Sequence, residues 1–384
     1  MLATVALGLG GFAIGTTEFV TMGLLPDIAA GIDASIPSAG HLISAYALGV
    51  VVGAPVIASL GARLPRRAMA MALMTAFVVG NALSALASGY GSLVLARFVA
   101  GLPHGAYFGV ASLIAASLVP AHLRGRAVSS VMLGLAVANV AGVPAGTWLG
   151  QHLGWRSAYW AVVLIGALTV LAVLIVVPSV PGRSEASIRS ELGALRRPQV
   201  ILTLGVATVG FGGMFAMYSY IAPIVTEVAG RPASFVPIVL LAFGIGGVLG
   251  TVLGGKLADR ALFRSLVGAT IATGVLLAVM VVAAGNAFTL TATVFTIAAA
   301  ASTMVVLLQL RLMEVAGDAQ MLGAALNHSA LNAANALGAW LGGLVIAAGY
   351  GYRAPSAVGV GLAVLGLGFL LASAVLRRRE LAAV

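Results

Sequence analysis

The chain has 384 residues, of which 61% are hydrophobic and only 8% are charged. An average soluble domain carries about 25% charged residues, so this composition excludes a water-soluble protein of this size. Lipid must be the solvent for most of the chain, and the spanning elements must be helices or a closed barrel. Cysteine is absent, which excludes disulfide and thiol chemistry.

The spanning elements are predicted to be helices, because the apolar runs are continuous, whereas the strands of a membrane barrel alternate apolar and polar residues. Each run is about 20 residues or longer, which is the length of a helix that crosses a bilayer. The runs number twelve, at roughly 2–26, 38–60, 68–88, 91–118, 127–150, 158–178, 200–226, 236–258, 263–284, 287–312, 322–349 and 354–376.

The first run is predicted to be a span rather than a secretory signal peptide. It lacks a basic start, it contains Glu18, and it is longer than the apolar core of a signal. Because the chain begins almost at the membrane, a short preceding tail is expected in the complete protein.

The net charge of +10 is concentrated on one side of a twelve-span arrangement. Arg156, Arg231 and Arg353 fall on the other side, and Arg97 lies inside a span. By the positive-inside rule the basic side is the cytoplasm, so both termini are predicted to be cytoplasmic. This distribution argues against nucleic acid as a partner. The basic side carries Arg63, Arg66, Arg67, Arg124, Arg126, Arg183, Arg189, Arg196, Arg197, Lys256, Arg260, Arg264, Arg311, Arg377, Arg378 and Arg379.

The two halves of the chain follow one plan. A long polar break from Pro178 to Gln199 separates six runs from six. "ANVAG" at 138–142 returns as "ANALG" at 334–338, and "GWRSA" and "GYRAP" recur at nearly the same offset. Parallel six-helix repeats are typical of secondary transporters. The predicted organisation is an N-terminal six-helix bundle at 1–178, a cytoplasmic linker at 179–199 and a C-terminal six-helix bundle at 200–384.

Four motifs give the chain a specific resemblance. They are "GKLADR" at 255–260, "LVLARFVAGLPHGAYFG" at 93–109, "ANVAGVPAG" at 138–146 and "TTEFVTMGLLPDIA" at 16–29. Together they resemble the major facilitator superfamily, and within it the twelve-span drug:proton antiporters of the branch that includes chloramphenicol and sugar efflux transporters. The resemblance covers the full length of the chain.

The resemblance implies an all-α integral membrane fold with twelve transmembrane helices in two six-helix bundles related by pseudo-two-fold symmetry. It also implies a multi-pass protein of the bacterial cytoplasmic (inner) membrane, with the lipid bilayer and a small-molecule substrate as partners. The protein is expected to be a monomer.

Glu18 and Arg97 are ionisable groups at membrane depth, where a charge costs about 2.5–3.5 kcal/mol on insertion scales. Glu18 is expected about 12 Å below the outer end of the first helix, and Arg97 about 9 Å deep in the fourth. At similar heights they can pair directly or through water. Pairing favours the carboxylate and desolvation favours the neutral acid, so a conformational change that alters either would move a proton. The alternatives are that Glu18 is the proton carrier or that the pair is a static helix contact.

Two further titratable residues are candidates for proton coupling. His104 lies seven residues beyond Arg97, on the same face of a continuous helix, where it either relays a proton or serves as a hydrogen-bonded core histidine. Asp27 lies at the outer mouth, where it either takes part in proton uptake or is a helix-end residue in water.

The gating candidates are Gly255, Asp259 and Arg260 in the "GKLADR" motif and Gly142 and Pro144 in the fifth span. The resemblance implies that Asp259 latches neighbouring helices in the outward-facing state, whereas the first-half copy of the motif keeps Gly61 but no acid. Small residues spaced by four are expected to let helices approach. These are Gly101, Gly105 and Gly109, Gly142 and Gly146, and Gly338 and Gly342.

The seventh and eleventh spans supply the predicted substrate wall. In the seventh, Phe211, Phe215 and Tyr218 share a face by i, i+4, i+7 spacing, with Met214 on the same side; ordinary helix packing is the alternative. In the eleventh, His328, Asn332 and Asn335 share a face and either bond neighbouring helices or offer donors and acceptors to a neutral polar ligand.

These features predict proton-coupled efflux of small amphipathic compounds, such as chloramphenicol-like drugs or sugars, by alternating access. No cofactor is expected beyond the coupling proton. A proton-coupled importer and a non-transport receptor or scaffold are the alternatives. No catalytic triad layout, metal cluster or nucleotide loop is found, so neither an enzyme nor a metal site is expected.

Overall fold

The computed structural model describes residues 2–61, 64–120, 123–179, 196–317 and 320–382, and within these ranges the chain is helical and contains no strand. The first half has α1 Leu2–Gly23, α2 Leu25–Gly31, α3 Ile36–Gly61, α4 Arg66–Leu86, α5 Tyr90–Gly101, α6 His104–Ser117, α7 Arg124–Val137, α8 Val143–Leu153 and α9 Arg156–Val176. The second half has α10 Pro198–Gly205, α11 Gly212–Tyr218, α12 Ile221–Pro223, α13 Val236–Ala283, α14 Ala287–Ala316, α15 Gln320–Ala347 and α16 Ala354–Ala382.

Eleven stretches among the described residues are long and apolar enough to cross a membrane. One of them, Ala233–Ala283, has 51 residues, which at 1.5 Å per residue is more than twice the thickness of a bilayer core. Its helix α13 has a non-helical backbone at Ala261 (φ −164°, ψ 76°). That break falls between the predicted spans 236–258 and 263–284, so α13 contains two crossings. The predicted all-helical membrane fold with twelve transmembrane helices is confirmed.

The chain divides into two compact units. The first comprises Met1–Glu185 with Pro232–Gly244, and the second comprises Ala186–Arg231 with Ile245–Val384. Residues 180–195 of the predicted linker, 179–199, lie outside the described residues.

Two predicted spans are interrupted at proline. A proline ring clashes with the carbonyl four residues earlier and breaks a helix. The first span therefore stops at Gly23 and restarts as α2, which has Pro26 in its first turn, instead of running on to Pro26. The fourth span, predicted as one helix, is split into α5 and α6 by Leu102 and Pro103.

Three segments carry π-helical turns, in which one extra residue is accommodated per turn. Ala138–Gly142 joins α7 to α8, and Val206–Gly210 and Ile224–Val228 flank the middle of the seventh span. The related "ANALG" at 334–338 is regular α-helix within α15. The two halves therefore repeat the sequence pattern of this segment without repeating its backbone.

Within the first unit, α1 packs against α7, α8 and α9, and α3 packs against α5. Glycines permit the closest approaches, as predicted. A Cβ at Gly142 would collide with the Thr16 hydroxyl, and one at Gly101 would collide with the carbonyl of Tyr46. Gly105 likewise meets Ala54. The prediction is wrong for Gly109, which is exposed and has nothing within 4 Å of its Cβ position.

Within the second unit, α11 packs against α15 and α16. A Cβ at Gly338 would collide with the backbone of Gly212 and Ala216, and Gly342 lies against the ring of Tyr220. The predicted close approach through these two glycines is confirmed. It places the seventh and eleventh spans, which carry the predicted substrate wall, side by side.

Candidate functional site

Glu18 and Arg97 are both buried in the first unit, with 6% and 0% of their surfaces exposed. Glu18 lies five residues before the last residue of α1, which is about 7.5 Å along the axis. The expected depth of about 12 Å was counted from Pro26, which lies in α2 beyond this end, and it stays a prediction. Burial of an ionisable side chain in a spanning helix marks a functional-site candidate.

The Arg97 guanidinium is fixed by Thr17, the residue that precedes Glu18. Nη1 donates to the Thr17 hydroxyl at 3.1 Å, and Nη2 donates to the Thr17 carbonyl at 3.1 Å. Its Cζ atom lies 4.3 Å from the centroid of the Tyr46 ring and 5.4 Å from that of Tyr159. Aromatic faces attract a cation most strongly where water is excluded. The first and fourth spans therefore meet here, with Thr17 bound directly to Arg97.

A chain of hydrogen bonds extends this contact to a third helix. The Thr17 hydroxyl donates to Oδ1 of Asn81 at 2.5 Å, and Nδ2 of Asn81 donates to the carbonyl of Phe77 at 2.9 Å. The hydroxyls of Thr21 and Tyr159 lie 2.9 Å apart. Nε of Arg97 has no hydrogen-bond partner within the described residues. The cluster is therefore nearly but not fully satisfied, which leaves room for rearrangement.

Tyr46 connects this cluster to His104. The Tyr46 hydroxyl lies 3.1 Å from Nδ1 of His104, which begins α6 after the break at Pro103 and is also buried. The same hydroxyl interacts electrostatically with both Glu18 and Arg97. Although the fourth span is not the continuous helix predicted, Arg97 and His104 both face Tyr46. The structure brings three of the four predicted proton-coupling residues to one place.

Asp27 is separate from this cluster. It lies half-buried in the first turn of α2, where the helix dipole favours an anion. Burial raises the pKa of the Asp27 carboxyl above its usual 3.8, and a hydrogen bond with its own backbone offsets part of the rise. Its place at the end of the first span agrees with the expected position at the mouth.

The four predicted substrate-wall residues of the seventh span are buried. The rings of Phe211 and Phe215 are 5.6 Å apart at 77°, an edge-to-face pair, which confirms that they share a face. Met214 and Tyr218 lie in the same short helix, α11, as Phe215. Phe211 itself forms the junction between a π-helical turn and α11.

The amides of the eleventh span are buried with polar atoms left over. Both side-chain polar atoms of Asn335 and Oδ1 of Asn332 have no hydrogen-bond partner within the described residues. Nδ2 of Asn332 donates to the carbonyl of His328 at 3.0 Å. His328 lies one turn earlier in α15 and is half-buried. A buried polar group without a partner costs about 1–3 kcal/mol. The amides are therefore candidates for a ligand or for water.

The aromatic and amide stripes adjoin each other. Gly338, one turn beyond Asn335, contacts the Cβ of Phe215. Ser219 adds a buried hydroxyl without a partner among the described residues, one turn beyond Phe215 in the seventh span. An apolar wall with a few convergent polar groups is the usual make-up of a small-molecule site.

The gating candidates occupy two different environments. Gly142 is the last residue of the π-helical turn and packs against α1. Pro144 lies in the first turn of α8. Gly255 has open space at its Cβ position, and Asp259 and Arg260 are exposed in α13 just before its break. In the described part of the chain Asp259 forms no ion pair, so the latch stays a prediction. No group of three His, Asp or Glu side chains suited to a metal occurs there either.

Sequence reasoning missed Thr17, Tyr46, Asn81, Tyr159 and Ser219. Asn81 carried a signal, since it is an amide inside an apolar span. The others did not stand out, because threonine, serine and tyrosine are ordinary in membrane helices and their partners come from other spans. The Arg97 partner could have been found only by knowing which helices pack together.

Comparison with known proteins places the chain among membrane transporters. A family model of the Major Facilitator Superfamily matches residues 7–321. The inner membrane transport protein YdhP of Escherichia coli strain K12 is 42% identical over 366 residues, covering 95% of this chain and 94% of that protein. A chloramphenicol resistance protein of Streptomyces lividans is 38% identical over 254 residues, covering 65% and 64%. The predicted family resemblance is confirmed.

A solved structure extends the likeness to the fold. The crystal structure of a D-xylose-proton symporter matches with a TM-score of 0.73 at 18% identity, and the match covers 95% of this chain and 97% of the symporter. A sequence identity of 18% supports a common fold and nothing more.

Proposed function

The chain belongs to the Major Facilitator Superfamily, and on this premise we propose that it exports small amphipathic compounds, such as chloramphenicol-like drugs or sugars, in exchange for protons by alternating access. Membership of this family indicates a multi-pass membrane transporter rather than an enzyme. The proposed location is the bacterial inner membrane, with both termini in the cytoplasm and a monomer as the working unit. The proton is the sole coupling ion, and no cofactor is needed.

The observation that supports coupling is the buried carboxyl of Glu18 beside the Arg97–Thr17 contact. Glu18 takes a proton when it faces the acidic outside, and neutralisation of its carboxylate favours the return to the inward-facing state. The return to the inward-facing state exposes Glu18 to a less acidic solvent, where the proton leaves and substrate binds. Coupling of this kind needs a group whose charge depends on conformation.

Tyr46 and His104 supply a second part of the proposed proton path. The Tyr46 hydroxyl lies 3.1 Å from Nδ1 of His104 and its ring faces Arg97 at 4.3 Å, so Tyr46 is proposed to link these two residues. Asp27, at the mouth, is proposed to receive protons from the outer solvent. Arg97 positions Glu18 and sets the charge against which it titrates.

The substrate is proposed to bind along α11 and α15, between the aromatic stripe and the amides. Phe211, Met214, Phe215 and Tyr218 offer apolar area with one polar tip. Asn332, Asn335 and His328 offer donors and acceptors; Oδ1 of Asn332 and both polar side-chain atoms of Asn335 lack partners within the described residues. A neutral ligand with an apolar ring and hydroxyl or amide groups fits this wall, as do the phenicol drugs suggested by the resistance protein from Streptomyces.

Inside-out membrane vesicles test the proposal. An exporter that exchanges substrate for protons should accumulate chloramphenicol when the vesicle interior is made acidic. Glu18→Gln should abolish this accumulation, whereas Glu227→Gln, the same change at an exposed position, should not. Loss of preloaded chloramphenicol together with protons would indicate symport and import instead. Equal accumulation by the Glu18→Gln variant and the parent would remove Glu18 as the carrier.

A further inference from the structure

A basic cavity of about 350 Å³ lies in the second unit, away from the stripes on α11 and α15. It is an open pocket lined by the start of α10, the end of α14 and the last helix, α16. Its polar lining consists of Arg197, Gln199, Arg311, Glu314 and Arg377. The volume is at the lower end of the range of about 300–1,000 Å³ that small-molecule sites occupy.

The buried, hydrogen-bonded side chain of Arg311 forms one wall of this cavity. It is 3% exposed, and its Nη1 donates to Oε2 of Glu314 at 2.8 Å while Nη2 donates to Oε1 of Gln199 at 3.2 Å. Its Nε is buried without a partner among the described residues. Gln199 also accepts from the hydroxyl of Ser373 at 2.6 Å, so the three helices are tied together around the buried guanidinium.

Arg197 stands at the end of α14. Its Nη1 donates to the carbonyls of Ala316 at 2.8 Å and of Val315 at 3.4 Å, two of the acceptors that a helix leaves unpaired at its C-terminus. Gly317 has a positive φ of 61°, and any Cβ there would collide with this guanidinium. Nε and Nη2 of Arg197 have no partner within the described ranges.

The cavity has an excess of positive charge. Three guanidinium groups face one carboxylate, and Glu314 is already paired with Arg311. Arg377 is exposed on α16 and forms no hydrogen bond or ion pair with the described residues. A guanidinium group with a free fork can donate two parallel hydrogen bonds to the oxygens of a phosphate group.

We propose that this cavity binds a phosphate-bearing anion, with Arg377 and the free edge of Arg197 as direct ligands and Arg311 as the buried counter-charge. The cavity lies where α14 and α16 end, on the side that the positive-inside rule assigns to the cytoplasm. Basic pockets between membrane helices on that side bind anionic headgroups. A lipid headgroup and free inorganic phosphate share the required chemistry. Occupancy would hold α10, α14 and α16 together.

The test uses the full chain purified in a neutral detergent. Melting temperature is measured against increasing phosphatidylglycerol, phosphatidylcholine, or inorganic phosphate at constant ionic strength. Two variants are compared with the parent: Arg377→Ala removes a proposed ligand, and Arg379→Ala removes an exposed arginine about 200° further around the same helix. Neither side chain forms a hydrogen bond with the described residues, so both variants are expected to fold.

Phosphatidylglycerol should raise the melting temperature saturably in the parent and in Arg379→Ala, and phosphatidylcholine should not. Arg377→Ala should need about five times more lipid for half of the effect, the usual contribution of one basic residue at an anionic surface. A saturable effect of inorganic phosphate that also depends on Arg377 would assign the site to free phosphate, and no effect of phosphate would assign it to a headgroup. Equal weakening by the two variants, or no saturable effect of any anion, would overturn the proposal.

Discussion

Arg97 donates two hydrogen bonds to Thr17, one to the hydroxyl and one to the backbone carbonyl, and so fastens α5 to α1 beside Glu18. While these hydrogen bonds hold, Arg97 can move with Glu18 only if α1 and α5 move together. In the proposed transport cycle, protonation of Glu18 changes the local charge while the Arg97–Thr17 contact stays in place. The contact would then be the fixed reference against which the carboxyl titrates.

Thr17→Val should weaken the contact between Thr17 and Arg97. The change keeps the shape of the side chain but deprives Nη1 of Arg97 and Oδ1 of Asn81 of a partner. We expect a loss of about 1–3 kcal/mol in the free energy of unfolding, because buried polar groups are left unpaired, with weaker proton-driven efflux. Thr17→Ser keeps the hydroxyl and should retain both properties. Thermal melting and vesicle accumulation measure them, and a Thr17→Val protein as stable and active as Thr17→Ser would contradict the assigned role.

Tyr46→Phe separates the contribution of the hydroxyl group from that of the ring. The ring that faces Arg97 at 4.3 Å remains, whereas the contact with His104 is lost. We expect transport slowed by about five-fold, the equivalent of one hydrogen bond of about 1 kcal/mol, and an altered dependence of the rate on pH. Melting temperature should fall modestly, because a buried hydrogen bond is lost.

Tyr107→Phe is the matched control for Tyr46→Phe. Tyr107 is also fully buried in the first unit, but its hydroxyl donates to the carbonyl of Leu7 at 3.0 Å, outside the cluster. This variant should lose some stability and keep the pH profile of the parent. If both variants shift the profile alike, the hydroxyl of Tyr46 has no special part in proton movement.

Much of the fold was predictable because the bilayer sets the length of every spanning helix. The break at Ala261 fell within the gap that hydropathy left between two spans. Hydropathy could not predict the local conformation of the backbone. Pro103 splits a run that reads as continuous, and the π-helical turn at 138–142 has no counterpart at 334–338 although the sequences match. Such departures depend on how neighbouring helices accommodate an extra residue.

The candidate site was only partly predictable, for a related reason. A charge in an apolar run stands out, so Glu18 and Arg97 were found from the sequence alone. Thr17 and Asn81 acquire their importance only by meeting Arg97 from two other helices. Arg311 was counted only as one of the cytoplasmic charges, and its burial against Glu314 and Gln199 was not predicted. Pairings between distant spans are tertiary information.

Asn335→Leu and Asn81→Leu should have opposite effects on stability. Both polar atoms of Asn335 lack a partner in the described part of the chain, so an apolar side chain of similar size removes a cost of about 1–3 kcal/mol and should maintain or raise the melting temperature. Efflux should fall, because a contact to substrate is lost. Asn81 is bonded on both sides, and its replacement should lower the melting temperature. A strongly destabilised Asn335→Leu protein would show that the amide is structural.

Asp27→Asn should change how stability depends on pH. Burial raises the pKa of Asp27, so the folded protein binds the proton more tightly than the unfolded chain does. The resulting stabilisation is complete below the ordinary value of 3.8 and is lost as pH rises through the folded pKa. At neutral pH the variant should therefore melt higher than the parent, and the difference should shrink on acidification. A difference that stays constant with pH would contradict the effect of burial.

Gly338→Ala and Gly109→Ala compare one substitution in two helix environments. At Gly338 the new methyl group would meet the backbone of Gly212 and Ala216, which cannot give way as a side chain can. We expect a loss of about 1–3 kcal/mol from overpacking and reduced transport, since α11 and α15 carry the proposed substrate wall. At Gly109 the methyl group enters open space, and the better helix propensity of alanine should add up to about 1 kcal/mol. Melting temperatures that fall equally in the two variants would mean that the α11–α15 approach is not the close contact described.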